Sequence, residues 1–238
     1  MTMPYAEVIG DPIAQSKSPA IHRFWLEKLG IEADYRATRV SEAEVADYLT
    51  ERKADPDWRG CNVTMPLKQT VQPHLESVKE PAASIGAVNT IYPDNDRLLA
   101  GTNTDAAGFL EPLTKELQSP HLFRMARILG AGGAARAIAH ALARENFTLV
   151  IAARRVEQAE DLIAGLPQTT QHHAVLLDHF AQTTDFEFDD RQGLLDLVIN
   201  ASPLGMRGKS PLVFDWSHAP PGAIAYDIVT DPLETDFL

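Results

Sequence analysis

The sequence has only one cysteine, Cys61, in 238 residues, so no disulfide can form within the chain. The absence of such crosslinks favours a reducing compartment. The first residues, MTMPYAEVIG, also lack the basic start and apolar core of a secretory signal. These observations predict a cytoplasmic protein in which Cys61 is a packed strand residue, with a reactive thiol as the less favoured alternative.

Long apolar runs and an excess of positive charge are missing as well. No run approaches the ~18 residues that a membrane span requires. The net charge of -12 opposes the phosphate contacts on which broad nucleic-acid binding depends. We therefore expect neither a membrane nor a nucleic acid as a partner. The content of 45% hydrophobic and 23% charged residues is typical of a globular protein, and the length allows one large domain or two small ones.

Apolar periodicity divides the chain into alternating strands and helices. The first hundred residues read βαβα followed by three short strands, and Ser41 with Glu44 forms a capping box before the second helix. From residue 126 onward the alternation is typical of a doubly wound parallel sheet. The polar stretch 118–121 is a candidate domain boundary, and 182–192 a polar connection. Strands are predicted at 5–9, 35–40, 61–65, 88–92, 98–102, 126–129, 149–153, 174–177, 195–200 and 223–229. Helices are predicted at 19–29, 41–53, 81–85, 107–117 and 156–166, with an alanine-rich helix that follows GAGGAAR and extends to about 145 and a short helix after Lys68.

The stretch 61–68, CNVTMPLK, is the first that indicates chemistry. Polar Asn62 and Thr64 alternate with apolar residues as in a strand, and Pro66 ends that strand shortly before Lys68. This pattern places a lysine just after the carboxyl end of a strand. The alternative interpretation is a solvated lysine at the end of an edge strand. Amides and hydroxyls recur in AVNTI and GTNTD, and such groups suit a polyhydroxylated ligand. They belong to Asn89, Thr90, Asn103 and Thr104, followed by Asp105.

The stretch GAGGAAR, 130–136, lies between a predicted strand and a predicted helix and matches G-x-G-x-x-A. Because side chains are small or absent there, backbone amides at the helix start can approach a pyrophosphate. The next strand ends in Arg154 and Arg155 where an NAD enzyme carries an acidic residue, and two cations suit a 2′-phosphate. The sequence therefore predicts NADP as the cofactor; for one arginine the alternative is a solvated strand end. The residues that would line the phosphates are Gly130, Ala131, Gly132, Gly133 and Ala134.

The sequence contains, in this order, SKS at 16–18, NVTMPLK at 62–68, GAVNT at 86–90, NTD at 103–105, GAGGAAR at 130–136, INASPLGM at 199–206 and YDIV at 226–229. These motifs span nearly the whole chain, and together they resemble the shikimate dehydrogenase family. The resemblance implies α/β architecture, with an N-terminal substrate domain at 1–105 and a C-terminal Rossmann domain with a doubly wound parallel sheet at 106–238. It implies an enzyme that reversibly reduces 3-dehydroshikimate to shikimate with NADPH, in aromatic amino-acid biosynthesis. This enzyme would be a monomer or a homodimer and would use no metal.

The resemblance also implies roles for single residues. Lys68 and Asp105 resemble the catalytic residues, and the chemistry agrees, because an ammonium can stabilise and protonate the alkoxide that hydride addition produces. For Asp105 the alternative role is a helix N-cap. For Ser16 and Ser18 the alternative is turn and cap chemistry ahead of the first helix. The implied substrate ligands are Ser16, Ser18, Thr64, Asn89 and Asp105, and Ile228 is implied in the cofactor site.

Two departures from the family pattern leave other functions open. Thr230 stands where family members usually carry a tyrosine that contacts the substrate, which permits quinate or a related hydroxy acid as the substrate. The sequence also ends at Leu238, before the family's terminal helix. We therefore expect the polypeptide to continue with an amphipathic helix that packs on the first domain. A non-catalytic NADP-binding sensor is the third hypothesis.

Overall fold

A computed structural model describes residues 3–167, 171–188 and 193–238. The chain forms two compact units, Met1–Thr104 and Asp105–Leu238. The strands are β1 Tyr5–Gly10, β2 Asp34–Arg39, β3 Trp58–Val63, β4 Ser77–Val78, β5 Thr90–Pro93, β6 Leu99–Thr102, β7 Phe123–Leu129, β8 Thr148–Ala153, β9 His173–Leu176, β10 Leu194–Asn200 and β11 Ile224–Asp227. The α-helices are α1 Ser18–Leu29, α2 Val45–Ala54, α3 Ala82–Ile85, α4 Asp105–Leu110, α5 Thr114–Gln118, α6 Gly133–Arg144 and α7 Val156–Ala164.

The first unit contains a six-stranded sheet in the order β2-β1-β3-β5-β6-β4. Strand β1 is parallel to β2 and β3, whereas β5 is antiparallel to both of its neighbours, β3 and β6. The carboxyl ends of β1, β2, β3 and β6 therefore meet the start of β5 at one edge of this sheet. The loops at that edge carry most of the polar residues that the sequence singled out in this unit.

Period-two alternation sends apolar side chains of the first sheet to two opposite faces. One face, with Ile9 and Val63, packs on Leu49 of α2. The other, with Val8 and Tyr35, packs on Ile13 and on Leu26 of α1. The predicted apolar stripe of α1 is otherwise solvent-exposed, and none of the residues of this helix is buried. Its exposed large side chains are Ile21, Phe24, Trp25 and Leu29, at 45% to 70% exposure.

The second unit contains a five-stranded, fully parallel sheet in the order β11-β10-β7-β8-β9. Helix α6 contributes buried alanines to its core, and their small side chains suit close packing of the helix on the sheet. The strand order reverses between β7 and β10, as in a doubly wound sheet. The predicted α/β fold with a Rossmann unit is confirmed. No helix in the described part of the chain is long and apolar enough to cross a membrane.

The structure corrects three local predictions. The helix expected at 107–117 is divided into α4 and α5 by a 3-10 turn, because Pro112 lacks the backbone donor that a continuous helix needs. After Lys68 the chain forms turns and a 3-10 helix, Gln72–His74, in place of an α-helix, since Pro73 lies in that segment. The stretch 118–121 is no boundary: Phe109 and Leu113, which precede it, are buried in the core of the second unit.

Some short elements were not predicted from the sequence. They are strand β4 and the 3-10 helices Leu177–Ala181 and Trp216–His218, which are too short to show a periodic pattern. The predicted polar connection 182–192 has no helix or strand over residues 182–188. Its last part, 189–192, lies outside the described residues, so that part of the prediction stays untested.

Cys61 is buried in β3 with 3% of its surface exposed, as the sequence predicts. Burial raises the pKa of its thiol, because the thiolate would lose its hydration. We expect an aromatic disulfide reagent at neutral pH to leave the folded protein unmodified and to modify one thiol per chain in urea. Rapid modification of the native protein would contradict the packed position of this residue.

Candidate functional site

Polar side chains gather at one edge of the first sheet. Ser16 and Ser18 follow β1, Thr64 and Lys68 follow β3, and Asn89 immediately precedes β5. We call these five residues the first carboxyl edge. In sheets with parallel strands, ligands commonly bind outside the carboxyl ends, where strand order leaves neighbouring loops diverging. The first carboxyl edge is therefore the candidate substrate site of this unit.

Backbone hydrogen bonds hold the members of the first carboxyl edge to one another. The N–H of Thr64 donates to the carbonyl oxygen of Ile9 at 2.9 Å, which joins the ends of β3 and β1. The N–H of Val88 donates to the carbonyl oxygen of Lys68 at 2.7 Å. Because Asn89 follows Val88, the second bond keeps the lysine turn beside the asparagine. The positions of Thr64, Lys68 and Asn89 are therefore supported by main-chain contacts, which side-chain substitution leaves intact.

Gly10, at the end of β1, is required by the close approach of β3. A Cβ atom at this position would lie 2.6 Å from Cγ2 of Thr64 and 2.7 Å from the carbonyl oxygen of Met65. Both distances are below van der Waals contact. The glycine thus lets the loop after β3 lie against the loop after β1, and with it Thr64 against the segment that leads to Ser16.

The two serines lie at the start of α1. The hydroxyl oxygen of Ser16 accepts a hydrogen bond from the N–H of Ser18 at 3.3 Å. This contact is the turn chemistry expected as the alternative role, but a hydroxyl that accepts one bond can still donate its proton to an anion. Ser18 begins the helix, and its N-cap, Lys17, makes no side-chain cap. Two hydroxyls beside an uncapped helix start suit a carboxylate.

The amide of Asn89 is held in one orientation. Its Nδ2 donates to Oγ1 of Thr104 at 2.8 Å, and its Oδ1 accepts from the N–H of Thr104 at 3.0 Å. The neighbouring Asn103 is buried and donates to the carbonyl oxygen of Ala87 at 2.9 Å. Asp105 follows Thr104 directly and is the first residue of α4, which begins the second unit.

In the second unit, the glycine loop lies at the carboxyl end of β7, where the strand order reverses. Gly130 has a φ of +128°, and a Cβ there would lie 2.7 Å from the carbonyl oxygen of Ala201, so only glycine fits. A Cβ on Gly132 would meet nothing within 4 Å. Helix α6 begins at Gly133 without a side-chain cap. This open helix start fits a dinucleotide pyrophosphate, and the amides that would reach it are those of Gly130, Ala131, Gly132, Gly133 and Ala134.

Arg154 and Arg155 follow the end of β8, the strand next to β7. Both side chains are exposed. Among residues 3–167, 171–188 and 193–238, neither guanidinium takes part in an ion pair or hydrogen bond. Two unengaged cations at this strand end fit a phosphate on the ribose. Ile228, the other predicted cofactor residue, follows β11, and its N–H donates to the carbonyl oxygen of Asn200 at 3.2 Å.

Sequence reasoning missed a polar network at the end of β10. Asn200 is fully buried, and its Nδ2 donates to the carbonyl oxygen of Leu204 at 2.9 Å and to Oδ1 of Asp227 at 3.1 Å. The other carboxylate oxygen of Asp227 accepts from Oγ1 of Thr235 at 2.7 Å. These contacts shape the loop whose Ala201 faces Gly130. The motifs INASPLGM and YDIV contained the signal, but residue types alone assigned it no role.

Comparison with known proteins gives consistent results. Residues 8–91 match the model of the shikimate dehydrogenase substrate binding domain. The shikimate dehydrogenase (NADP(+)) of Sphingopyxis alaskensis is 46% identical over 237 residues, or 99% of this chain and 80% of that protein. Shikimate 5-dehydrogenase of Thermus thermophilus, solved in complex with NADP(H) and shikimate, is 33% identical with a TM-score of 0.76 over 97% of this chain and 80% of that one. The 5-ketofructose reductase of Gluconobacter sp. strain CHM43 is 31% identical with a TM-score of 0.76. That match covers 100% of this chain and 83% of the reductase chain.

Proposed function

This chain belongs to the shikimate dehydrogenase family, and from that premise we propose that it reversibly reduces 3-dehydroshikimate to shikimate with NADPH. The reaction is a step of the shikimate pathway of aromatic amino-acid biosynthesis. One observation carries the proposal: the first carboxyl edge combines hydroxyls, an amide and a lysine in a chain 46% identical to a shikimate dehydrogenase. These groups match a ligand that bears a carboxylate and several ring oxygens.

We assign the substrate contacts by the chemistry of each group. The hydroxyls of Ser16 and Ser18, beside the start of α1, suit the substrate carboxylate. The hydroxyl of Thr64 and the amide of Asn89 suit ring oxygens, because each can donate as well as accept. Asp105 is the proposed second catalytic group, whose carboxylate accepts a hydrogen bond from a substrate hydroxyl.

Lys68 is the proposed proton donor and acceptor. Bound NADPH supplies the hydride that adds to the substrate carbonyl carbon. Negative charge then develops on the carbonyl oxygen, where the Lys68 ammonium stabilises it and donates a proton to complete the alcohol. In the oxidative direction the neutral amine accepts the hydroxyl proton. The same residue thus serves both directions, as a reversible reaction requires.

We propose that the cofactor binds the second unit at the carboxyl ends of β7 and β8. The backbone amides of residues 130–134 hold the pyrophosphate, and Ile228 contacts the cofactor. Arg154 and Arg155 pair with the 2′-phosphate, for which bidentate guanidinium groups are well suited. This assignment accounts for two exposed arginines at a position where an NAD enzyme would place an acidic residue.

A direct assay distinguishes this function from its alternatives. We expect the purified protein to reduce NADP⁺ with shikimate, with a higher kcat/KM than for quinate. The likeness to a 5-ketofructose reductase makes a polyhydroxy ketone a second candidate substrate, so 5-ketofructose with NADPH belongs in the same assay. Quinate belongs in the assay because Thr230, which is exposed, stands where the family usually has a tyrosine that contacts the substrate. Tight NADP⁺ binding without turnover of any of the three would favour the sensor hypothesis.

Replacing both Ser16 and Ser18 by alanine should raise KM for shikimate about tenfold or more, because hydrogen bonds to a charged group contribute roughly 1.5 to 3 kcal/mol. The Kd for NADP⁺, measured by fluorescence titration, should stay within about twofold. Ser84→Ala, which changes an exposed serine of α3, is the matched control. An unchanged KM in the double variant would remove the serines from the site.

Two expectations from the sequence stay predictions at this stage. The protein should be a monomer or a homodimer, which light scattering during size-exclusion chromatography measures directly. It should also act in the cytoplasm, which fractionation of the source cells would test. Neither outcome alters the assignment of residues to the substrate and cofactor sites.

A further inference from the structure

We propose that Tyr35 is a positioning residue that holds the amide of Asn89 at the first carboxyl edge through a chain of hydrogen bonds across the sheet. The inference rests on the proposed function, because it concerns how well the edge binds shikimate. Tyr35 lies on β2, away from the loops of the edge, and no motif points to it. Its effect would pass through Asn62 and Thr90, whose side chains form a hydrogen bond with each other.

The register of the sheet places these side chains on one face. Tyr35 is paired with Ala6 of β1, and Asn62 is paired with Val8 of β1. Because Ala6 and Val8 are two residues apart, their side chains and those of their partners point to the same face. Thr90 is paired with Asn62 across β3 and β5, which continues the row. The phenol of Tyr35 therefore reaches across β1 to the side chain of Asn62.

Three hydrogen bonds connect Tyr35 to Asn89. The Tyr35 hydroxyl donates to Oδ1 of Asn62 at 2.5 Å. Nδ2 of Asn62 donates to Oγ1 of Thr90 at 3.2 Å, and the Thr90 hydroxyl donates to Oδ1 of Asn89 at 2.8 Å. Asn62 and Thr90 each accept from the residue before them in this chain and donate to the residue after them. The chain thus has a single direction, which begins at the phenol.

That direction agrees with what Asn89 requires. The N–H of Thr104 donates to Oδ1 of Asn89, which identifies this end of the amide as the oxygen. An amide oxygen only accepts hydrogen bonds, so the Thr90 hydroxyl bonded to it must be the donor. Since Thr90 has one hydroxyl proton, Asn62 must present its Nδ2 to Thr90 and its Oδ1 to Tyr35. A tyrosine hydroxyl in this position supplies the donor that the Asn62 oxygen needs. Without it, Oδ1 of Asn62 loses the hydrogen bond that the phenol donates.

Packing holds the Tyr35 ring in place. The residue is 3% exposed, and its ring stacks on the His22 ring with a centroid distance of 4.0 Å and an interplanar angle of 4°. Burial raises the pKa of the Tyr35 phenol, so it keeps its proton and acts as a donor at neutral pH. Burial also lowers the pKa of His22, which favours a neutral stacking partner.

The test compares two buried tyrosines of the same sheet. Tyr35→Phe removes the first donor of the chain. Tyr5→Phe is the matched control, because Tyr5 is also buried and donates a hydrogen bond to Asp55 at 2.7 Å. Tyr5 begins β1, so it lies at the end of that strand away from the first carboxyl edge. Steady-state kinetics are measured with shikimate at saturating NADP⁺. We expect Tyr35→Phe to raise KM about fivefold, the effect of one lost hydrogen bond, with kcat within about twofold, and Tyr5→Phe to change neither by more than about twofold.

Thermal unfolding of both variants separates positioning from stability, since each loses one buried hydroxyl and should show a similar fall in Tm. Equal KM values for Tyr35→Phe and Tyr5→Phe would overturn the inference while leaving the proposed function in place. A wild-type protein that does not turn over shikimate would overturn the proposed function, and the inference with it. The two failures are therefore distinguishable within one assay.

A double-mutant cycle, measured on variants whose Tm shows them to be folded, tests the path itself. Thr90→Val keeps the β-branched shape and removes the hydroxyl that links Asn62 to Asn89. If both residues act through one chain, the Tyr35→Phe/Thr90→Val variant should have a KM no higher than about that of the weaker-binding single variant. Multiplicative increases in KM would show two independent effects and overturn the chain.

Discussion

Replacing Lys68 by alanine is expected to lower kcat for shikimate oxidation by about 10²- to 10⁴-fold, the range for loss of a positioned acid–base group. Lys68 follows β3 in a turn held by its carbonyl oxygen, which accepts from the N–H of Val88 at 2.7 Å. Because that contact uses the main chain, the substitution should remove the ammonium without moving the turn. Steady-state rates of NADPH formation measure the effect.

The control for this prediction is Lys79→Ala, which removes a lysine from the loop after β4 in the same unit. It should retain kcat within about twofold. Both variants should bind NADP⁺ with the wild-type Kd, since neither belongs to the glycine loop. Wild-type turnover in Lys68→Ala would refute the assignment of the proton donor. A parallel loss of cofactor affinity would instead indicate a folding defect.

The second large effect concerns the choice of cofactor. Arg154→Ala should weaken NADP⁺ binding by roughly ten- to a hundredfold, because a charge-assisted contact to phosphate contributes about 1.5 to 3 kcal/mol. NAD⁺ lacks the 2′-phosphate, so its Kd should change little. Titration of both cofactors at several salt concentrations measures the difference, and the NADP⁺ effect should shrink as salt screens the charge.

Arg144→Ala is the charge-matched control, because Arg144 is exposed at the opposite end of α6 from the glycine loop. Arg155→Ala shows whether the second arginine shares the phosphate or is only a solvated strand end. Equal losses of NADP⁺ and NAD⁺ affinity in Arg154→Ala would remove this residue from the 2′-phosphate site. The combination of variants therefore tests the arginines one by one.

Local sequence was sufficient wherever short-range physics decides the structure. The strand, glycine loop and helix around Gly130 were predicted because apolar alternation, glycine content and helix periodicity all act within a few residues. A turn before Lys68 was also predicted and is present, but β3 ends at Val63, two residues before Met65, the expected last residue ahead of Pro66. Residue types also sufficed to predict a buried Cys61. These predictions needed no knowledge of which segments pack together.

Periodicity was misleading where one residue or a missing neighbour changes the outcome. Pro112 divides a segment that otherwise has the pattern of one helix. The apolar stripe of α1 predicts a buried face, yet Phe24 and Trp25 are about half exposed at 54% and 52%. A helix pattern indicates which side chains share a face, but whether that face is covered depends on the elements that lie against it.

The candidate substrate site shows most clearly what only tertiary structure decides. The sequence indicated Lys68, Thr64 and Asn89 as polar residues near strand ends, because each lies in a short polar motif. Tyr35 lies in no such motif, and its link to Asn89 depends on the register of β1 with β2 and β3. Sheet register is set by packing of whole faces, since a shift of one residue would send every side chain to the opposite face. The chain of hydrogen bonds therefore exists only in the folded sheet, although every residue in it can be read from the sequence.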